Sequence, residues 1–198
     1  MAFADFYFDL ASPLAYLAAE QALQVFSGAP GPVEWQPLLA RELPGYGGFG
    51  VSHSNGQAGF RGEISQRAQA LGLQPLRWPD PFPFDSSLAM RVATYAKSIG
   101  RTVPFAQAAF RQAFAGGHSL ENPDFVLIAA AACEMHPAAV LRGAELRSVA
   151  EQLSACTAGA AALGVTDVPA VVIEGLVFQG EHALEQAAAH MLTVGTSP

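Results

Sequence analysis

Hydrophobic and polar positions alternate from the first residues. Phe6, Phe8 and Leu10 fall on one side and Tyr7 and Asp9 on the other, which predicts a strand over Ala2 to Leu10. From Pro13 the period lengthens. Leu14, Leu17, Ala18, Ala22 and Val25 recur at helical spacing until Ser27-Gly28-Ala29-Pro30-Gly31-Pro32 breaks it. The short apolar stretch Pro32 to Leu38 reads as a second strand, and a strand, helix and strand without a hairpin turn predict a parallel βαβ unit. Pro44 to Gly59 reads as loop, Phe60 to Leu71 as a helix, and LQPLRWPDPFPFD as a proline-broken connection. Ser86 to Leu163 is helical by pattern, in segments Leu88 to Ile99, Pro104 to Ala115, Pro123 to Met135, and Pro137 through Gln152 and onward. After Gly164, VPAVVIEGLVF supplies two strands joined at Glu174-Gly175, and Glu181 to Met191 a last helix.

A βαβ half, a helical block and a ββα half together describe an α/β, thioredoxin-like fold with a large all-helical insertion. The expected division is residues 1–75 and 161–198 for the thioredoxin-like domain and 76–160 for the insertion.

Composition narrows the function. The chain has 198 residues, 51% of them hydrophobic, enough for a core without disulfides or metal. The formal charge of -7, with Lys97 the single lysine and the arginines scattered, argues against nucleic acid, because phosphate binding needs clustered cations. Cys133 and Cys156 lack CxxC spacing and read as buried free thiols. The N-terminal stretch has no basic segment, and the longest apolar run, Phe125 to Cys133, falls short of a membrane span, so no membrane partner and a cytoplasmic location are expected. His53, His118, His136 and His190 lack ligand spacing, and no metal is expected. GYGGFG, residues 45–50, matches G-x-G-x-x-G, but that fingerprint works only where the glycines join a strand directly to a helix. No helix is expected to begin within Gly50 to Gly56, so the segment reads as a glycine-rich loop.

Several motifs resemble one family. Asp5-Phe6-Tyr7-Phe8-Asp9, Ser12-Pro13-x-x-Tyr16-Leu17, Arg77-Trp78-Pro79, Gly164-Val165-x-x-Val168-Pro169-Ala170 and Phe178-Gln179-Gly180 are similar to those of the 2-hydroxychromene-2-carboxylate isomerases and their kin, the kappa-class glutathione transferases. These lie in the DsbA-like branch of thioredoxin folds, and the resemblance spans nearly the whole chain. Redox members of the branch carry Cys-Pro-x-Cys where Ser12-Pro13-Leu14-Ala15 stands here. Disulfide exchange requires an attacking thiolate and a resolving thiol, and this position has neither.

The serine can instead serve a thiol brought by glutathione, the cofactor the resemblance implies. A thiol with a pKa near ~8.5 needs roughly 2.7 kcal/mol of preference for its anion to fall by about two units. A hydrogen bond to a charged group gives about 1.5–3 kcal/mol and a helix N-terminus about 0.3–1, so Ser12 and the first amides of the helix could supply it. The plain alternative is that serine before proline is simply a helix cap.

The resemblance also places a cis bond at Val168-Pro169 facing Ser12, with the backbone of Val168 pairing with the cysteinyl part of glutathione. Asn55 and Arg61 fall where the kappa class holds the peptide, Arg61 on its glycyl carboxylate; a turn residue and a solvated side chain are the plain alternatives. Glu181-His182 stands where the family usually has a small or amide residue and then an aspartate for the γ-glutamyl ammonium, which is a departure. Arg77, Trp78 and Asp85 flank the expected cleft for a small aromatic carboxylate substrate; a core residue is the plain alternative for Trp78. The implied activity is glutathione-dependent cis-trans isomerisation of 2-hydroxychromene-2-carboxylate, in a homodimer. A kappa-like glutathione transferase and a non-catalytic thioredoxin-like binding protein are the alternatives.

Overall fold

The computed structural model describes residues 3–49 and 56–194. Strand β1, Ala4–Phe8, is central and almost wholly buried. It pairs in parallel with β2, Val33–Pro37, and antiparallel with β3, Ala170–Ile173; β4, Leu176–Gln179, completes a four-stranded sheet of order β2-β1-β3-β4. The β3–β4 turn is Glu174-Gly175, both at positive φ (50° and 84°), the geometry that twists a two-residue hairpin correctly. Between β1 and β2 runs α1, Pro13–Val25.

Five helices separate α2, Gly56–Ala70, from β3. They are α3, Ser87–Ser98, α4, Thr102–Phe114, α5, Pro123–Ala131, α6, Pro137–Glu145, and α7, Arg147–Ala162. The last helix, α8, is Ala183–Val194. It packs on β3, β4 and α1, whereas α3 and α7 pack on β2 and α4 packs on α1. Aromatic contacts run through the core: within the sheet Phe6 lies 4.8 Å from Trp35, Phe8 of β1 lies 6.0 Å from Phe110 of α4, and Tyr16 of α1 stacks on Phe114 of α4 at 5.5 Å. Such pairs add about 0.5–1.5 kcal/mol each beyond area burial.

The structure corrects several element boundaries. Strand β1 stops at Phe8 rather than Leu10, because the Asp9 carboxylate accepts the Ala11 N–H and the Asp9 carbonyl accepts the Ser12 N–H, closing a turn. Helix α2 already begins at Gly56, where φ is 69° and the Gln57 side chain donates to the Phe82 carbonyl. The helical run expected from Pro137 is two helices. Leu146 is extended (φ -63°, ψ 133°), and Gly143 seats α6 so closely on Tyr95 that a Cβ there would lie 2.4 Å from the ring. Helix α5 ends at Ala131 rather than Met135, with Glu134 at φ 61° and the Met135 N–H returning to the Ala130 carbonyl. The last helix starts two residues later than expected. Cys133 is buried as expected, but Cys156 is only half-buried.

Candidate functional site

The turn Asp9-Leu10-Ala11-Ser12 joins the central strand to α1, and a buried carboxylate organises it. Asp9 is 2% exposed; one of its oxygens accepts the Ala11 N–H and the other the Ala40 N–H, each at 2.9 Å. Burial pushes its carboxyl above the usual range, opposed by those two amides, the Ser86 hydroxyl and Arg41. Asp9 thus ties the turn to the segment after β2.

Ser12 caps α1. Its Oγ accepts the Ala15 N–H at 3.1 Å, and Pro13 occupies the first helical turn, where no N–H is needed. The same start recurs at Asn122-Pro123 of α5 and His136-Pro137 of α6, both exposed. Ser12 differs from them in being 1% exposed and in donating its hydroxyl to the Val168 carbonyl at 3.3 Å. The Val168-Pro169 bond is cis, as are Asp80-Pro81 and Phe82-Pro83. The expected meeting of Ser12 with Val168-Pro169 is therefore present. Both backbone groups of Val168 have partners: its carbonyl takes the Ser12 hydroxyl, and its N–H donates to the Asp167 carboxylate at 2.8 Å.

Beside Pro169 opens a cleft of about 200 Å³ between α1, α2 and the start of α8. Leu14, Leu17, Leu71 and Leu184 form apolar walls, and Arg67, Glu181 and His182 are among its polar lining. Glu181 and His182 therefore stand on the same cleft as Pro169. Glu181 is paired with Arg67 of α2, and His182 Nε2 lies 3.5 Å from the Glu181 carboxylate. The Gly180 N–H donates to the Pro169 carbonyl at 2.8 Å, fastening this turn to the cis-proline loop.

The other candidates are arranged differently. Arg61 does not line that cleft; its guanidinium lies 5.1 Å from the Trp78 ring and 5.6 Å from Phe82, and among the described residues its Nε has no hydrogen-bond partner. Trp78 is half-buried in an aromatic cluster with Phe60, Phe82 and Phe114, at 6.2, 4.8 and 6.1 Å. Arg77 is exposed and is anchored through its backbone N–H to the Phe114 carbonyl. Asp85 is paired with Arg41 at 2.5 Å. Asn55 and His53 lie outside the described residues.

Two site residues escaped sequence reasoning. Asp9 carries a signal in hindsight, an acid at the end of an otherwise apolar strand. Arg67 interrupts the buried stripe Phe60, Ile64, Ala68 of α2 at i+3 from Ile64, the spacing that turns it toward α1 and α8. Both cysteines lie far in sequence from the Ser12 turn, on or beside α5 and α7, and burial raises both thiol pKa values, Cys156 to about 11.

The model of the DsbA-like thioredoxin domain matches residues 4–192. The chain belongs to the DsbA-like thioredoxin family. No curated protein sequence matches it. Its fold is similar to that of a 2-hydroxychromene-2-carboxylate isomerase, with a TM-score of 0.83 at 16% identity over 97% of this chain and 95% of that one. It is also similar to the cytosolic disulfide reductase DsbM from Pseudomonas aeruginosa, solved with GSH (TM-score 0.68, 15% identity, 98% and 99% covered). The oxidoreductase DsbA from Xylella fastidiosa is similar too (TM-score 0.61, 13% identity, 97% and 84% covered). These likenesses bear out the DsbA-like thioredoxin fold with its helical insertion. Among the described residues no helix is long and apolar enough to cross a membrane.

Proposed function

We propose that this member of the family is a glutathione-dependent isomerase of the 2-hydroxychromene-2-carboxylate type. The observation that carries the reading is the Ser12 hydroxyl at the N-terminus of α1, buried and facing Val168-Pro169, in a chain with no thiol at positions 12–15. A dithiol oxidoreductase needs two cysteines there. A serine at a helix N-terminus instead stabilises an anion brought to it, and a glutathione thiolate is an anion of suitable size and charge. The nearby fold of a 2-hydroxychromene-2-carboxylate isomerase and the GSH held by DsbM support the choice of chemistry and cofactor.

In this mechanism the hemiketal substrate opens to a conjugated enone. The glutathione thiolate adds to the conjugated carbon and the electron pair moves onto the carbonyl oxygen as an enolate. The former double bond rotates, the enolate collapses, and the thiolate leaves, giving the trans isomer with no net redox change. Ser12 holds the thiolate. Arg61, Arg77 and Trp78 receive the aromatic carboxylate, Arg61 through a guanidinium already poised over the aromatic cluster. Alignment of the two reactants supplies much of the rate.

The deciding experiment incubates the protein with 2-hydroxychromene-2-carboxylate with and without glutathione and follows the trans product. Isomerisation only with glutathione supports the reading. A stable glutathione conjugate instead identifies a kappa-like transferase, and no reaction together with no thermal shift at millimolar glutathione leaves a binding protein.

A further inference from the structure

The glycine-rich segment Gly45 to Phe49 brings two rings to the turn before Ser12. Gly45 and Gly48 stand at φ 80° and 78°, which other residues rarely adopt, and the chain turns there so that the Tyr46 and Phe49 rings meet edge to face at 5.2 Å. Both rings, with Phe84, wall a cavity of about 180 Å³ that reaches Asp9 and Ala11. This cavity shares no lining residue with the cleft beside Pro169.

Its polar groups are Asp9, Ser86, Arg41 and Tyr46. Asp9 and Ser86 are buried, and Arg41 holds Asp85 at 2.5 Å and the Ser87 hydroxyl at 2.7 Å. The Tyr46 phenol is pushed up to about 12, by burial first and then by the Asp9 and Asp167 carboxylates nearby, so it keeps its proton and can donate. Asp167 precedes Val168, whose carbonyl takes the Ser12 hydroxyl, so Tyr46 stands near both segments that meet at Ser12. The charges decide what can enter. A ligand anion meets the Asp9 carboxylate and a ligand cation meets Arg41, whereas a neutral hydroxyl accepts from Tyr46 and donates to Asp9 through one oxygen. The aromatic walls suit a planar ring, and benzene enters an apolar cavity of about 150 Å³.

We infer that this cavity seats a phenol ring, with Tyr46 and Asp9 reading its hydroxyl. The inference rests on the isomerase reading above, whose ring-opened substrate carries a phenol at one end and a carboxylate at the other, and it adds the residues that recognise the phenol end. Phe82 packs on Trp78 at 4.8 Å, and the next two residues, Pro83 and Phe84, line the cavity. A ligand with its carboxylate at Arg61 and Trp78 therefore extends its ring into the cavity. The carbon that takes the thiolate lies between the two ends, and Ala11 in the cavity wall precedes Ser12. Tyr46 and Asp9 set specificity and position the substrate without touching the reacting carbon.

The test is calorimetric titration, without glutathione, of the wild type and Tyr46→Phe with trans-o-hydroxybenzylidenepyruvate, trans-benzylidenepyruvate, which lacks only the hydroxyl, and trans-o-methoxybenzylidenepyruvate, which cannot donate. Glutathione-dependent isomerisation is followed in parallel, and thermal melts check that the variant is folded. The wild type is expected to bind the hydroxyl compound about tenfold more tightly than either analogue, a comparison that needs no variant. Tyr46→Phe is expected to lose most of that preference while binding the compound without a hydroxyl as the wild type does. A wild type that binds all three alike, or a folded Tyr46→Phe that keeps the full preference, overturns the phenol site and leaves the isomerase reading standing. Binding of none of the three overturns the phenol site, and absence of isomerisation with glutathione overturns the isomerase reading with it.

Discussion

The Ser12 hydroxyl donates to the Val168 carbonyl at 3.3 Å while its oxygen accepts the Ala15 N–H at 3.1 Å. Capping and thiolate stabilisation are therefore compatible: the cap uses a lone pair, and the proton that now faces Val168 is the one a thiolate would take. Ser12→Gly separates the roles, because glycine at a cap costs only a few tenths of a kcal/mol, and loss of the bond to Val168 adds about 0.5–1.5. The expected outcome is a folded variant, slightly less stable by urea titration, with isomerisation slowed roughly ten- to hundredfold. Ser12→Asp is a poor control, since it would set a carboxylate against the Val168 carbonyl in a buried site.

Asp9→Asn is expected to destabilise the protein by about 1–3 kcal/mol. Two carboxylate oxygens accept two backbone amides, and an asparagine offers only one oxygen. The pH dependence has a definite sign. Because burial raises the folded pKa of Asp9, the folded state holds its proton more tightly, and wild-type stability from this group falls as pH rises from the unfolded value of 3.8 through the folded one. The stability gap between wild type and Asp9→Asn should therefore narrow as pH rises across that window, as read from denaturant midpoints.

Cys156 should be inert. With its pKa pushed up to about 11 by burial, its thiolate fraction at pH 7 is roughly two to three orders of magnitude below that of a free cysteine. Alkylation by iodoacetamide, followed by mass spectrometry, should be slow in the folded protein and fast in urea. The wild type should also fail to catalyse disulfide exchange.

Arg61→Met should lower stability by about 0.5–1 kcal/mol through loss of the cation above Trp78 and Phe82. It should raise the KM for the aromatic substrate, measured at saturating glutathione, more than it lowers kcat.

Much of this architecture was legible because local chemistry and tertiary structure agree. Serine before proline is a favoured helix start, here at Ser12-Pro13, and Gly175 gives the Glu174-Gly175 pair the positive φ that a tight hairpin needs. The break at Leu146 was not legible, since neither glycine nor proline stands there; it comes from Gly143 seating against Tyr95, a contact between elements far apart in sequence. The site divides the same way. Ser12 and Pro169 follow from motif and fold, whereas Arg67 becomes a cleft residue only when α2 packs beside α1 and α8. Arg61 has the cation expected of it, yet the proline-broken segment places it with Trp78 rather than beside Pro169.

The central claim, that Ser12 stabilises a bound thiolate, is tested most directly by titrating that thiolate. Absorbance near 240 nm, recorded against pH for glutathione bound to the wild type and to Ser12→Gly, reports its ionisation. The account predicts a midpoint about two pH units below the free value of ~8.5 in the wild type, with at least one unit of that shift lost in Ser12→Gly. A bound thiol that ionises at the free value in the wild type, or at the same depressed pH in both proteins, would contradict it.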